Sequence, residues 1–257
     1  MVYLFRVMKM PRQARKKSES GIYHIMRRGI NGQVIFEDGQ DKDKFLECLK
    51  NYKAISGYKL FAYCLMSNHI HLLIKVEKED LNLIMKRIGA SYVYWYNWKY
   101  KRRGHLFQDR FKSEPVEDDS YFLTVLRYIH QNPIKGGICK SVDGYKYSSY
   151  NEYVNKTKIV DTEFCLGIIS EEQFVEFNNQ KNDDKCLDIE DYDFRLTDEE
   201  ARAIIQKVSK CKNATEFQNL SIDKRDKYLQ TLREKGLSIR QISRLTGVSF
   251  NIVRKFR

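Results

Sequence analysis

Hydrophobic and polar positions alternate with periods that divide the chain into elements. The run Gly-Ile-Tyr-His-Ile-Met-Arg-Arg at 21 to 28 is apolar and aromatic and reads as a first strand, with a turn at Gly29 to Gly32. Asp41 suits an N-cap for a helix through Phe45, Leu46, Leu49 and Tyr52 to Ser56, which Gly57 stops. Two apolar runs, Tyr58 to Met66 and His69 to Val76, are joined by Ser67-Asn68 and predict a hairpin. In the second run Ile70, Leu72, Ile74 and Val76 alternate with His69, His71, Leu73 and Lys75, so the two sets occupy opposite faces. Leu81, Ile84, Met85 and Ile88 recur at helical spacing in a segment from about Asp80 to Tyr100. A fourth strand falls within 105 to 116. Asp118, Asp119 and Ser120 then offer N-caps for a helix from Tyr121 to about Gln131, where Pro133 is expected to end it. The order β-α-β-β-α-β followed by a helix predicts an α+β fold, a ferredoxin-like antiparallel sheet with helices on one side and its other face free to hold a site.

Beyond this block the pattern weakens and then sharpens. From about Asn155 to Asp198 the chain is acidic and weakly periodic, and reads as a linker with one short helix near Glu171 to Phe177. Tyr228 to Gly236 ends a helix, Ser238 to Thr246 makes a second, Gly247-Val248 turns, and Ser249 to Arg257 begins a third, which is helix-turn-helix spacing. The expected division is therefore a first domain over 1–155, an acidic linker over 156–200, and a small all-α helix-turn-helix module over 201–257.

Charge follows the same division. Residues 1–150 carry 27 basic and 15 acidic side chains, 151–200 carry 5 and 15, and 201–257 carry 14 and 4, within a total of +12. Two basic modules flanking an acidic one suit two separate contacts with a polyanion. No apolar stretch is long enough for a membrane span, and no cleavable leader is evident. Met10-Pro11-Arg12 allows translation to start at Met8 or Met10. The six cysteines are scattered without a CxxC pair, which speaks against a zinc knuckle or disulfide framework and fits a reducing cytoplasm.

Candidate chemistry sits at two places. His69 and His71, two apart on a strand, project from one face and can share an ion. In Arg127-Tyr128-Ile129-His130-Gln131-Asn132-Pro133, Tyr128 and Asn132 are four apart and lie on one helical face, with Gln131 and His130 as rival ligands. Phosphodiester transfer needs a nucleophile, a cation against the phosphate, and a strand held in line. A phenol with an ordinary pKa near 10 needs a cation or a base to activate it. Two imidazoles and an amide oxygen suit a hard ion, Mg2+ or Mn2+, with positions left open for phosphate and water. For phosphate contacts the candidates are Arg12, Arg15, Lys16, Lys17, Arg102, Arg103, Arg110 and Lys112, and for a major groove Ser249, Asn251, Arg254 and Lys255, beside Phe250. Tyr92, Tyr94, Trp95, Tyr96, Trp98 and Tyr100 interleave with cations, although most of them must pack in the core.

These residues carry a family resemblance. Ser67-Asn68-His69-Ile70-His71-Leu72-Leu73-Ile74 resembles the HUH motif (His, bulky hydrophobic, His) of single-tyrosine HUH transposases. Arg127 to Gly137 resembles the tyrosine helix of their REP-associated branch, as do Met10-Pro11-Arg12, Gly104 to Lys112 and Tyr147-Ser148-Ser149-Tyr150. The resemblance spans about 10 to 153. It implies an HUH nuclease core in which His69 and His71 hold the metal with Asn132, or with the adjacent Gln131, and Tyr128 is the nucleophile. It further implies a 5′-phosphotyrosine intermediate on single-stranded, hairpin-bearing DNA, in a monomer or homodimer, with duplex DNA as a second partner for the C-terminal module. Two other functions compete: a non-catalytic helix-turn-helix regulator of repeat elements, and an RNA-processing metallonuclease on the same fold.

Overall fold

The computed structural model describes residues 15–155, 158–188, 198–211 and 213–256. Arg12 and the Met8 or Met10 start lie outside them.

Four strands, β1 (Ile22–Arg28), β2 (Lys59–Leu65), β3 (His69–Lys75) and β4 (Lys112–Pro115), form one antiparallel sheet in the order β2-β3-β1-β4. With α1 (Gly39–Ser56), α2 (Leu81–Lys99) and α3 (Asp119–Lys135) between and after them, this is the ferredoxin-like order expected. The register pairs Ile25 with Leu72 and Met26 with His71, so Ile25, Arg27, Ile70 and Leu72 share one face. That face meets α2: Arg27 Nη1 donates to Met85 O at 3.4 Å, and its guanidinium lies where any side chain at Gly89 would collide. α1 packs beside α2.

Boundaries differ from the sequence pattern at two helices. Asp38, not Asp41, is the N-cap of α1, and Asp41 completes a reciprocal capping box from inside. The Asp41 carboxylate is buried because Lys99 Nζ and Tyr100 Oη both donate to it. α3 runs through Pro133 to Lys135, since a proline removes only its own N–H, and Gly136 N still closes the last turn on Asn132 O at 2.9 Å.

The second face of the sheet is not free. α3 lies across it, over β2 and β3, with Phe122 edge-on to Phe61 and with Val125, Leu126 and Ile129 buried. Because both faces are covered, β3 is buried from Ile70 through Ile74, polar and apolar positions alike.

The acidic stretch holds the short helix expected near Glu171 to Phe177, but much of it packs on the first domain. α4 (Tyr150–Val154), α5 (Glu163–Leu166) and α6 (Glu171–Asn179) build onto the first domain, and Val160, Cys165 and Phe174 join its core. Phe174 stacks on Tyr153 at 4.5 Å, and the Asp161 carboxylate takes the Leu60 N–H and Lys53 Nζ. Asp161 thus neutralises a cation of the core, and of the expected linker 156, 157 and 189–197 lie outside the described residues.

The C-terminal region is all helical: α7 (Asp198–Ser209), α8 (Ala214–Gln218), α9 (Ile222–Glu234), α10 (Ile239–Thr246) and α11 (Phe250–Val253). It has its own core, including Ile205, Phe217, Leu229, Leu232, Ile242 and Val253. Ser238 caps α10, and Gly247 ends it at φ +70, a conformation glycine adopts without strain. Among the described residues no helix is long and apolar enough to cross a membrane.

Candidate active site

Tyr128 and Asn132 stand one turn apart on α3, facing the histidine side of β3. The Tyr128 ring is edge-on to His71 at 5.7 Å and to His24 at 5.8 Å, and His69 Nε2 is 3.3 Å from Asn132 Oδ1. Gln131 points away: its Nε2 donates to Asn178 O and Gln180 O, and its Oε1 accepts from Asn182. His130 is held between Asn178 Oδ1 and Ser149 Oγ, both at 2.9 Å. Of the candidate third ligands, Asn132 is the one placed beside the histidines.

The imidazoles fit a cation. Asn68 donates through Nδ2 to Gly32 O at 3.5 Å, which leaves its Oδ1 to accept from His69 Nδ1 at 2.8 Å. The lone pair of His69 Nε2 then confronts the oxygen of Asn132, a clash of acceptors that a shared cation relieves. His71 Nε2 is buried with no hydrogen-bond partner among the described residues. Burial lowers the pKa of His69, against the opposing pull of Asn132, and lowers that of His71 well below the usual imidazole value, so both rings stay neutral as metal ligation requires. No group of three or more His, Cys, Asp and Glu side chains suited to a metal gathers among the described residues; what this site could offer a cation is two imidazole nitrogens and one amide oxygen.

Tyr128 has an acid beside it. Its hydroxyl donates to Asp188 Oδ2, and Lys135 Nζ lies 4.5 Å from the ring centre. Burial first, and the Asp188 carboxylate second, push the phenol above its ordinary value. Asp188 arrives on a strap, 180–188, that runs back along α3. Arg127 clamps it by donating from Nε and Nη2 to the two Asp184 oxygens at 2.9 and 3.1 Å, with Phe177 stacked on the guanidinium at 3.9 Å. The Leu187 N–H donates to Glu114 Oε2 at 3.2 Å.

Five expected phosphate contacts converge. Arg15, Lys16, Lys17, Arg110 and Lys112 line one cleft of about 870 Å³, with Phe111, Glu114 and Leu187 on its walls, so it reaches the residue next to Asp188. Arg102 and Arg103 lie elsewhere, after the end of α2, where Arg102 stacks over Tyr96 at 5.5 Å. Tyr92 and Tyr96 are core residues, whereas Tyr94 and Trp98 are 80% and 73% exposed. Ser249, Asn251, Arg254 and Lys255 are all exposed around the short α11.

Sequence reasoning missed His24 and Asp188. His24 lies in the first strand, and only the β1–β3 register puts it on the face of His71. Asp188 carries no motif, and it reaches Tyr128 only because the strap docks.

Residues 17–132 match the family described as "Transposase IS200 like". A protein of Haemophilus influenzae named as a REP-associated tyrosine transposase is 28% identical over 109 residues, which is 38% of this chain and 61% of that protein. The solved structure of a REP-associated tyrosine transposase bound to a REP hairpin superposes with a TM-score of 0.54 at 14% identity, covering 69% of this chain and 95% of that one, a likeness of fold. The matched stretch, residues 17–132, holds the paired histidines, Tyr128 and Asn132, and it is this part of the chain that is similar to the IS200-like transposases.

Proposed function

We propose that the protein cuts and rejoins single-stranded, hairpin-bearing DNA through a 5′-phosphotyrosine at Tyr128. The observation that carries this reading is the convergence of Tyr128, His69, His71 and Asn132 between β3 and α3. Tyr128 Oη attacks phosphorus, the bond to the 3′ oxygen breaks, and the DNA leaves a free 3′ hydroxyl. Asp188, already bonded to the phenol, is the acceptor for its proton. His69, His71 and Asn132 would hold Mg2+ or Mn2+, which supplies positive charge against the phosphate oxygens. The phosphotyrosine retains the energy of the broken bond, so attack by another 3′ hydroxyl reseals DNA without a nucleotide cofactor. The cleft from Arg15 to Lys112 is suited to the backbone leading to the tyrosine.

The test is a denaturing gel of labelled hairpin DNA incubated with protein and Mn2+. A metal-dependent protein–DNA adduct that Tyr128→Phe abolishes, with hairpin binding retained, is expected. Adducts that persist in Tyr128→Phe would sink the assignment. The exposed cluster Ser249, Asn251, Arg254 and Lys255 supports an added role in duplex binding. Duplex binding without any adduct, unchanged when His69, His71, Tyr128 and Asn132 are all replaced, would instead make the protein a regulator.

A further inference from the structure

The two site histidines are held from behind at the same atom, and one of the holders is itself a histidine. His69 Nδ1 is fixed by Asn68 Oδ1 at 2.8 Å. His71 Nδ1 lies 3.0 Å from His24 Nε2, on the neighbouring strand and fully buried. One hydrogen occupies that contact, and its owner decides what His71 offers on its far side. If His24 Nε2 donates, His71 carries its hydrogen on Nε2 and turns an N–H toward the site. If His71 Nδ1 donates, Nε2 is a bare lone pair, and the hydrogen of His24 moves to its Nδ1. Both outer nitrogens, His24 Nδ1 and His71 Nε2, are buried and without hydrogen-bond partners among the described residues, so no other described group fixes the choice. A cation at His71 Nε2 fixes it, because it needs the lone pair.

We propose that His24 is a positioning residue for His71: it accepts the Nδ1 hydrogen, orients the ring, and presents the Nε2 lone pair to the metal, as Asn68 does for His69. The inference rests on the metal reading given above. Outer partners of metal-bound histidines are worth about 10- to 100-fold in affinity.

Mn2+ titration by calorimetry on the full chain tests it. His24→Leu, which cannot accept, should weaken binding about 10- to 100-fold, whereas His24→Gln, whose amide oxygen can take the place of Nε2, should stay within a few fold of the unaltered protein. A purely packing role would not rank the two this way. Independently, 15N imidazole spectra of the unaltered protein loaded with Mg2+ should show His71 protonated on Nδ1, in a chain with only five histidines to assign. Folded His24→Leu that binds Mn2+ normally, while His71→Ala does not, overturns the His24 inference and leaves the metal reading standing. A His71 ring protonated on Nε2 in the loaded protein also overturns it. An unaltered protein that binds neither ion removes both readings together.

Discussion

Gln131 and Asn132 are neighbours on α3 with similar side chains and different tasks. Asn132 faces His69, while Gln131 is spent on the backbone oxygens of Asn178, at the end of α6, and Gln180, at the start of the strap. Asn132→Ala should therefore lower Mn2+ affinity and adduct yield with little change in stability, and Gln131→Ala should lower the melting temperature with metal affinity intact; the opposite pattern would exchange their roles. Beside them, burial lowers the pKa of His130 to about 4, opposed by its bond to Asn178. The folded state thus keeps His130 neutral where the unfolded chain, titrating near 6.5, takes up a proton. Its contribution is whole above pH 6.5 and drains away as pH falls toward 4, at about 1.4 kcal/mol per pH unit. His24, lowered to about 3 by burial, acts in the same direction. Urea midpoints should fall between pH 6.5 and 4.5, with a shallower fall in His130→Gln. His69, His71, Tyr128 and Asn132 were legible in the sequence because each pair is set by spacing within one element. His24 and Asp188 were not, because one depends on strand register and the other on a docked segment.

At the scale of elements, the strap is held by polar grips. Between Gln180 and Asp188 only Cys186 and Leu187 are apolar, and the Arg127–Asp184 pair, mostly shielded from water, supplies its charged contact. Asp184→Ala leaves a shielded guanidinium unpaired, at a cost of about 1–3 kcal/mol. Lys181 and Lys185 flank the position, so trypsin should cut that variant there faster than the unaltered protein while the rest of the domain resists; equal rates would show that the ion pair does not hold the strap. The strands and long helices were legible because period-2 and helical patterns report on burial. The strap escaped because side chains bonding to backbone oxygens leave no periodicity, whereas Val160, Cys165 and Phe174 were apolar signals that the acidic stretch is anchored.

Over the whole molecule, charge is sorted more finely than the net +12 conveys. The acidic stretch pairs with the core through Asp161 and Asp184, and the cleft from Arg15 to Lys112 gathers five cations, against Asp109, Glu114 and Glu117, up to the residue next to Asp188. Replacing Arg110 and Lys112 together by Ala should reduce the slope of log affinity for single-stranded DNA against log salt by about 1.4, given roughly 0.7 per phosphate contact. An unchanged slope would place the backbone elsewhere. The separation of two cores was foreshadowed by the +12 and +10 segments, but the placement of the first boundary was not, because acidity marks a solvated linker and a charge-neutralising cover equally well.

β3 is the inner strand that carries the paired histidines, bonded along its length to β1 on one side and β2 on the other. Its amide hydrogens will exchange with solvent only when the sheet itself comes apart, an event as rare as global unfolding. The tyrosine lies opposite, beneath a strap whose removal leaves the sheet whole, so its surroundings will open on a far shorter timescale. Under the proposed function the site would thus join a slow half to a fast one: the histidines would stay set through many encounters with DNA, and Tyr128 would be the part whose exposure is renewed each time.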